Sequence, residues 1–280
     1  MNAPQARAAL THRQYTALPG VSASQLRELR QGSPLHLRHY LDTPDADTAS
    51  RGMLRAVHCR VLEPHRYPID FATFDGRRAG QAWEAWKTAQ EDRTILSERE
   101  TEAAKAISAA VLAHPLVGPL FGGRGYSELS ITWTDQETGL PCRARLDRLR
   151  ELAPGRWQVI DLKTVDSAAA HRVTSLVGQQ GWHVQLAHYI AAVRAIAPDA
   201  EVSAALVPVE QAAPHDVAVF ELPLTEELIA EQERRALLAT YAECERSGVW
   251  PGRYTEPQPL TLPRYLYPDD LDGVEVVEIR

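Results

Sequence analysis

The strongest constraint on the fold lies between residues 126 and 165, where helical spacing gives way to alternation. YSELSITWT (126–134) alternates as a half-buried strand does, DQETG (135–139) reads as a turn, and LPCRARLDRLR (140–150) returns as the second arm of a hairpin. GRWQVIDLKTV (155–165) predicts a third strand, with Val159, Ile160 and Leu162 near its centre. Around this meander the spacing is helical. Ser22 and Ser24 are candidate N-caps for a helix through Arg30, a second helix runs from Leu35 to about Leu41, and RGMLRAVHCRVLEP (51–64) is a third, stopped by Pro64. Residues 76–92 and 97–114 also read as helices, the latter opened by a Ser97–Glu100 capping box. After the meander come a helical stretch from Ala168 to Ala197 with a break near Gly178–Gly181, strands at 201–209 and 215–222, and a periodic helix from 225 to 248. This order predicts an α/β (α+β) domain with a mixed sheet. The domain is expected over residues 21–250, with a helical part at 21–120 and a core at 121–250. A flexible segment at 1–20 precedes it and a proline-rich tail at 251–280 follows.

Composition narrows the class. At 280 residues and 44% apolar side chains the chain can bury a large core. Three cysteines cannot build a disulfide framework or a four-cysteine metal site, which points to a reducing cytoplasm. No apolar run approaches the ~20 residues of a membrane span, and MNAPQARAAL lacks the apolar stretch of a secretory signal. A net charge of −7 argues against coating nucleic acid by bulk electrostatics. The charge is uneven: residues 1–60 carry eight arginines against four acids, and residues 198–280 carry six against seventeen. Lysine is scarce, with only Lys87, Lys105 and Lys163, so a lysine inside a strand asks for a specific explanation.

That lysine sits in the chain's densest chemical pattern. Asp161 and Lys163 are two apart on one strand and project to the same face. An acid and an ammonium in an apolar strand are costly unless they serve something, although a structural ion pair is the plainer reading of the tripeptide alone. Asp147, on the neighbouring strand, can face the same point, and a divalent cation would relieve the repulsion between the two carboxylates. Oxygen ligands of this kind suit Mg²⁺ or Mn²⁺. Gln185 and Tyr189 follow, four apart on one helix face. His58 lies on a helix upstream, and Glu128 begins the meander. Arg143 and Arg145 share the face of Asp147, where they either guide a phosphodiester backbone or form a solvated strand face.

In this order, His58, Asp147, Asp161-x-Lys163 and Gln185-x-x-x-Tyr189 resemble the PD-(D/E)xK nuclease superfamily. Within it, the chain is similar to the RecE-type exonucleases (exodeoxyribonuclease VIII) and related phage proteins, over roughly residues 20–252. SASQLRELRQGSPLHLRHY (22–40), RAVHCRVLEP (55–64), ITWTDQETGLPCRARLDRL (131–149) and YAECERSGVWPG (241–252) add to the resemblance. It implies a restriction-endonuclease-like core in which His58, Asp147 and Asp161 bind the metal and Lys163 is the catalytic lysine. Gln185 and Tyr189 then match the QxxxY motif, and Glu128 an acidic position with a less defined role. It further implies a Mg²⁺- or Mn²⁺-dependent exonuclease acting on ends of double-stranded DNA in recombination or repair, with a single-strand annealing protein as partner and a homo-oligomeric assembly. One departure stands out: Arg55 occupies a position where a small residue such as Gly is expected. The rival reading is a nuclease-fold protein without catalysis that binds DNA ends or a recombination partner.

Other patterns carry less. His36 with His39, and His183 with His188, lack further ligands at a zinc spacing. GPLFGGRG (118–125) lacks the Gly-Lys-Ser/Thr ending of a phosphate loop. Trp83 and Trp86 read as helix-packing residues.

Overall fold

The structure, a computed structural model, describes residues 3–8, 10–43, 49–90 and 93–266. Residues 44–48, and the tail from 267 onward, lie outside these. In chain order the elements begin with β1 (Gln5–Arg7), α1 (His12–Thr16), α2 (Ala23–Gln31), α3 (Pro34–Asp42), α4 (Ala49–Leu62), α5 (Tyr67–Asp70) and β2 (Phe71–Phe74). Next come α6 (Gln81–Ala89), β3 (Thr94–Ser97), α7 (Glu98–Ala113), α8 (Gly118–Phe121), β4 (Gly125–Thr134), β5 (Pro141–Ala153) and β6 (Arg156–Val165). The chain continues through α9 (Ala170–Gln180), α10 (Trp182–Ile196), β7 (Glu201–Glu210), β8 (Phe220–Glu221) and α11 (Leu224–Ser247).

The main sheet has the order β1-β4-β5-β6-β7-β8. All neighbours are antiparallel except β6 and β7, which run parallel from Arg156–Glu201 to Val165–Glu210. A parallel pair needs a crossover, and α9 with α10 supplies it. The two helices meet at Gly181, whose φ of +67° is a left-handed conformation that glycine adopts without penalty.

Helices cover both faces of this mixed sheet. On one face α2, α3, α10 and α11 pack against Leu129, Ile131, Leu146, Leu149 and Val159. On the other, α4 and α7 pack against Ile160, Leu162, Val207 and Val209. Ile160 and Leu162 are fully buried, and each such side chain contributes roughly 1.5–3 kcal/mol. The Ser97 cap of α7 is formed as its sequence predicts, with the Glu100 amide donating to Ser97 Oγ and Glu100 Oε2 accepting from the Ser97 amide.

The structure also departs from the sequence reading. Gln5–Arg7 pairs with β4 as an edge strand, and β2 pairs with β3 in a small parallel sheet, with α6 between the two strands in the chain. Among the described residues of the 76–92 stretch, helix covers Gln81–Ala89, and the strand read at 215–222 shrinks to Phe220–Glu221 with an isolated bridge at Val217. Arg55 is accommodated because its guanidinium donates to Thr94 Oγ1 at 3.0 Å, while the close approach of α4 to β3 falls at Gly52. A Cβ at Gly52 would lie 3.1 Å from Thr94 Cγ2. No helix among the described residues is long and apolar enough to cross a membrane.

Candidate active site

The antiparallel ladder between β5 and β6 ends at the pair Arg148–Ile160. Beyond it the strands are unpaired, and the next facing positions are Asp147 and Asp161. In the β4–β5 ladder, which pairs Ser127 with Arg148 and Leu129 with Leu146, the position facing Asp147 is Glu128. Three carboxylates thus fall in one row across three strands, at the point where the sheet opens. Alternation breaks there too: Arg148 and Leu149 are buried in succession, and Glu128 has φ +51°. A left-handed backbone at a non-glycine residue costs on the order of 1–3 kcal/mol, and such strain clusters at functional sites.

From the α4 side His58 reaches the row, its Nδ1 lying 3.5 Å from Asp147 Oδ2. His58, Glu128 and Asp147 each offer a ligand atom, and these atoms lie within 4.8 Å of one another. The Leu162 amide, which has no β5 carbonyl to meet, donates to Asp147 Oδ2 at 2.8 Å. Asp161 is 1% exposed. Its Oδ2 lies 2.5 Å from Lys163 Nζ, and its Oδ1 accepts from Gln185 Nε2 at 3.2 Å. Gln185 Nε2 also donates to the Tyr189 hydroxyl at 2.7 Å. Lys163 Nζ sits 5.8 Å from the centre of the Trp182 ring, which begins α10 one turn before Gln185.

The electrostatics are those of crowded acids in a dry setting. Burial, then the neighbouring Asp147 charge, pushes Glu128 up to about 7. Burial likewise raises Asp147, against the pull of Lys163 and the Leu162 amide. Asp161 is pushed up to about 6, chiefly by burial, with Lys163 opposing and Asp147 adding. Burial and then Lys163 lower His58 to about 4, so its imidazole is neutral at neutral pH and keeps a lone pair to offer. Tyr189 is raised well above 10 by burial and the two aspartates, so its phenol stays protonated. A quarter of the His58 side chain remains accessible, which leaves the cluster open to a diffusing ion. One neutral imidazole and two acids whose charged forms repel each other fit a hard divalent cation.

The structure therefore brings His58, Glu128, Asp147, Asp161, Lys163, Gln185 and Tyr189 to one place, but divides them differently from the sequence reading. Glu128 stands among the ligand atoms. Asp161 is turned to Lys163 and Gln185, because the ammonium and amide are the closest partners its two oxygens have. Arg143 and Arg145 do not present free guanidinium groups. Arg143 Nη1 donates to the Thr16 and Leu18 carbonyls, and to that of Tyr15 at 3.3 Å. Arg145 Nε donates to Glu128 Oε2. Sequence reasoning passed over Trp182 and Glu63. The signal for Trp182 was its place three before Gln185 on the same helix face. Glu63 lies five residues after His58, beyond the last turn of α4, and no spacing rule marks it.

A family model for a PDDEXK-like domain of unknown function (DUF3799) matches residues 22–258. The chain belongs to this family. The PDDEXK-like domain shares its fold with a crystal structure of a "Putative exonuclease" from Eubacterium rectale, at a TM-score of 0.59 and 13% identity. The match covers 90% of this chain and 96% of that one. A second solved structure, SSO0001, aligns over 78% of this PDDEXK-like domain chain and 84% of its own at 16% identity, with a TM-score of 0.32. No curated protein matches the sequence.

Proposed function

We propose that this PDDEXK-like domain is a divalent-metal-dependent deoxyribonuclease, and specifically an exonuclease that degrades linear double-stranded DNA from its ends in recombination or repair. The observation that carries the reading is the meeting of the His58, Glu128 and Asp147 ligand atoms with the Asp161–Lys163 pair where β5 and β6 separate. His58, Glu128 and Asp147 would hold the ion, with Asp161 beside them on the next strand and paired with Lys163. A bound Mg²⁺ or Mn²⁺ supplies Lewis acidity at phosphate and lowers the pKa of water. Lys163, with three N–H donors, orients the attacking water and offsets the charge that builds on the phosphate oxygens. Gln185 fixes the Asp161 carboxylate, and Tyr189 anchors the Gln185 amide, so the lysine is aimed before substrate arrives. The resemblance to RecE-type enzymes supports a single-strand annealing protein as partner and a homo-oligomer as the working form.

The test is release of nucleotides from linear duplex with Mg²⁺ or Mn²⁺. Lys163→Ala is expected to slow it by at least about 100-fold, while calorimetry still registers Mn²⁺ binding. Asp161→Ala is expected to abolish release. Wild-type rates in purified, folded Asp161→Ala would overturn the assignment. A folded wild-type chain that binds no Mn²⁺ at millimolar concentration would favour the non-catalytic, end-binding alternative.

A further inference from the structure

Arg145 lies two residues before Asp147 on β5 and opposite Ser130 of β4. Its guanidinium spans two acids. Nε donates to Glu128 Oε2, and Nη2 lies 3.9 Å from Glu63 Oε2. Nη1 is buried without a hydrogen-bond partner. A buried guanidinium with donors unused is incompletely compensated.

Glu63 lies on the other side of the Arg145 guanidinium from Glu128. It follows α4 directly and is 9% exposed. Its ion-pair partners among the described residues are Arg145 at 3.9 Å and Arg66 at 4.0 Å, both beyond hydrogen-bond length. Arg66 is already committed to both oxygens of Asp70, at 2.9 and 3.2 Å. Glu63 Oε2 has room for a closer partner, and Arg145 is a group that can supply a hydrogen bond.

We propose that Arg145 holds the place of the cation at Glu128 and that Glu63 is the positioning residue that draws Arg145 away when the cation binds. This rests on the metal-binding reading above. While Glu128 Oε2 accepts from Arg145, that oxygen is not free to bind a divalent ion. The ion and the guanidinium also repel each other. A shift of about 1 Å brings Nη2 from 3.9 Å to hydrogen-bond distance of Glu63 Oε2 and frees Glu128. α4 thus supplies a ligand, His58, and the residue directly after it supplies the acceptor for the displaced charge, and Arg145 stays paired in either state.

A double-mutant cycle read by Mn²⁺ calorimetry on the full chain tests the exchange. Glu63→Gln is expected to weaken Mn²⁺ affinity about tenfold, the scale of losses when an outer partner of a metal ligand is removed. In an Arg145→Gln background, where no guanidinium competes, Glu63→Gln is expected to change affinity less than about twofold. A Glu63 effect of equal size in both backgrounds would mean simple charge attraction and would overturn the exchange, as would unchanged affinity in the wild-type background. Should Glu63→Gln not fold, Glu63→Asp, with its acceptor drawn back, carries the same comparison with the same sign. Failure of the unsubstituted chain to bind Mn²⁺ is a different result: it overturns the metal reading, and the exchange with it.

Discussion

Glu128 combines three unusual properties: a left-handed backbone, a place among the ligand atoms and a carboxyl pushed up to about 7. A carboxyl raised in the folded chain holds its proton more tightly there than in the unfolded chain. Over the window from about 4.5 to about 7 its stability contribution therefore falls as pH rises. His58, lowered to about 4, has the opposite sign between about 4 and 6.5. Comparison with Glu128→Gln isolates the glutamate. The melting temperature of the metal-free variant relative to wild type is expected to climb between pH 5 and pH 8 by at least about 2–4 °C, the shift for 1 kcal/mol in a domain of this size. Added Mn²⁺ is expected to reverse the order at pH 8, because only wild type gains the ligand. A flat difference across that range, read by calorimetric melting, would contradict the burial argument. At this scale the sequence was informative about which residue types meet, since Asp161 and Lys163 share a strand face and Gln185 and Tyr189 a helix face. It was silent on how the acids divide their partners. The bend at Glu128 and the turn of Asp161 toward Lys163 depend on where a ladder ends, which no spacing records.

Among the elements, the β4–β5 pair depends on a close approach at its start. Gly125 has φ +146°, and a Cβ there would lie 2.2 Å from the Leu149 carbonyl oxygen. Gly125→Ala is expected to cost at least about 2 kcal/mol, through strain and a displaced ladder, and to lower the urea midpoint with little change in slope. A midpoint equal to wild type would show that β4 can start elsewhere. The long, strongly patterned elements were legible: the meander, α7 with its cap, α11, and the α9–α10 break at Gly181. The β2–β3 sheet escaped because each strand has only four residues and α6 separates them, so neither shows enough alternation to count. β1 escaped for the same reason; its pairing is supplied by β4 rather than by its own three residues.

At the scale of the whole molecule, the two charge excesses of the sequence meet. α11, from the acidic end, packs against α2 and α3, from the basic end, and Arg30 Nε bonds Glu233 Oε1 at 2.8 Å while Glu233 also takes His183. Charge counted along the chain could not reveal this partial cancellation. Selectivity for a free end is the behaviour expected of the proposed exonuclease. Closed circular duplex is expected to survive conditions that consume the same plasmid once linearised, as agarose electrophoresis would display; equal loss of both forms would indicate internal cleavage. The opening of the sheet has a further consequence. Asp147 stands in for a missing strand, since its carboxylate takes the Leu162 amide that β5 leaves behind. It is therefore a stitch in the scaffold as well as a member of the acidic row, and a descendant that had given up chemistry would still need it. Asp147 alone would be a poor marker of an active relative, whereas Lys163, which makes no such backbone repair, would be the more telling residue.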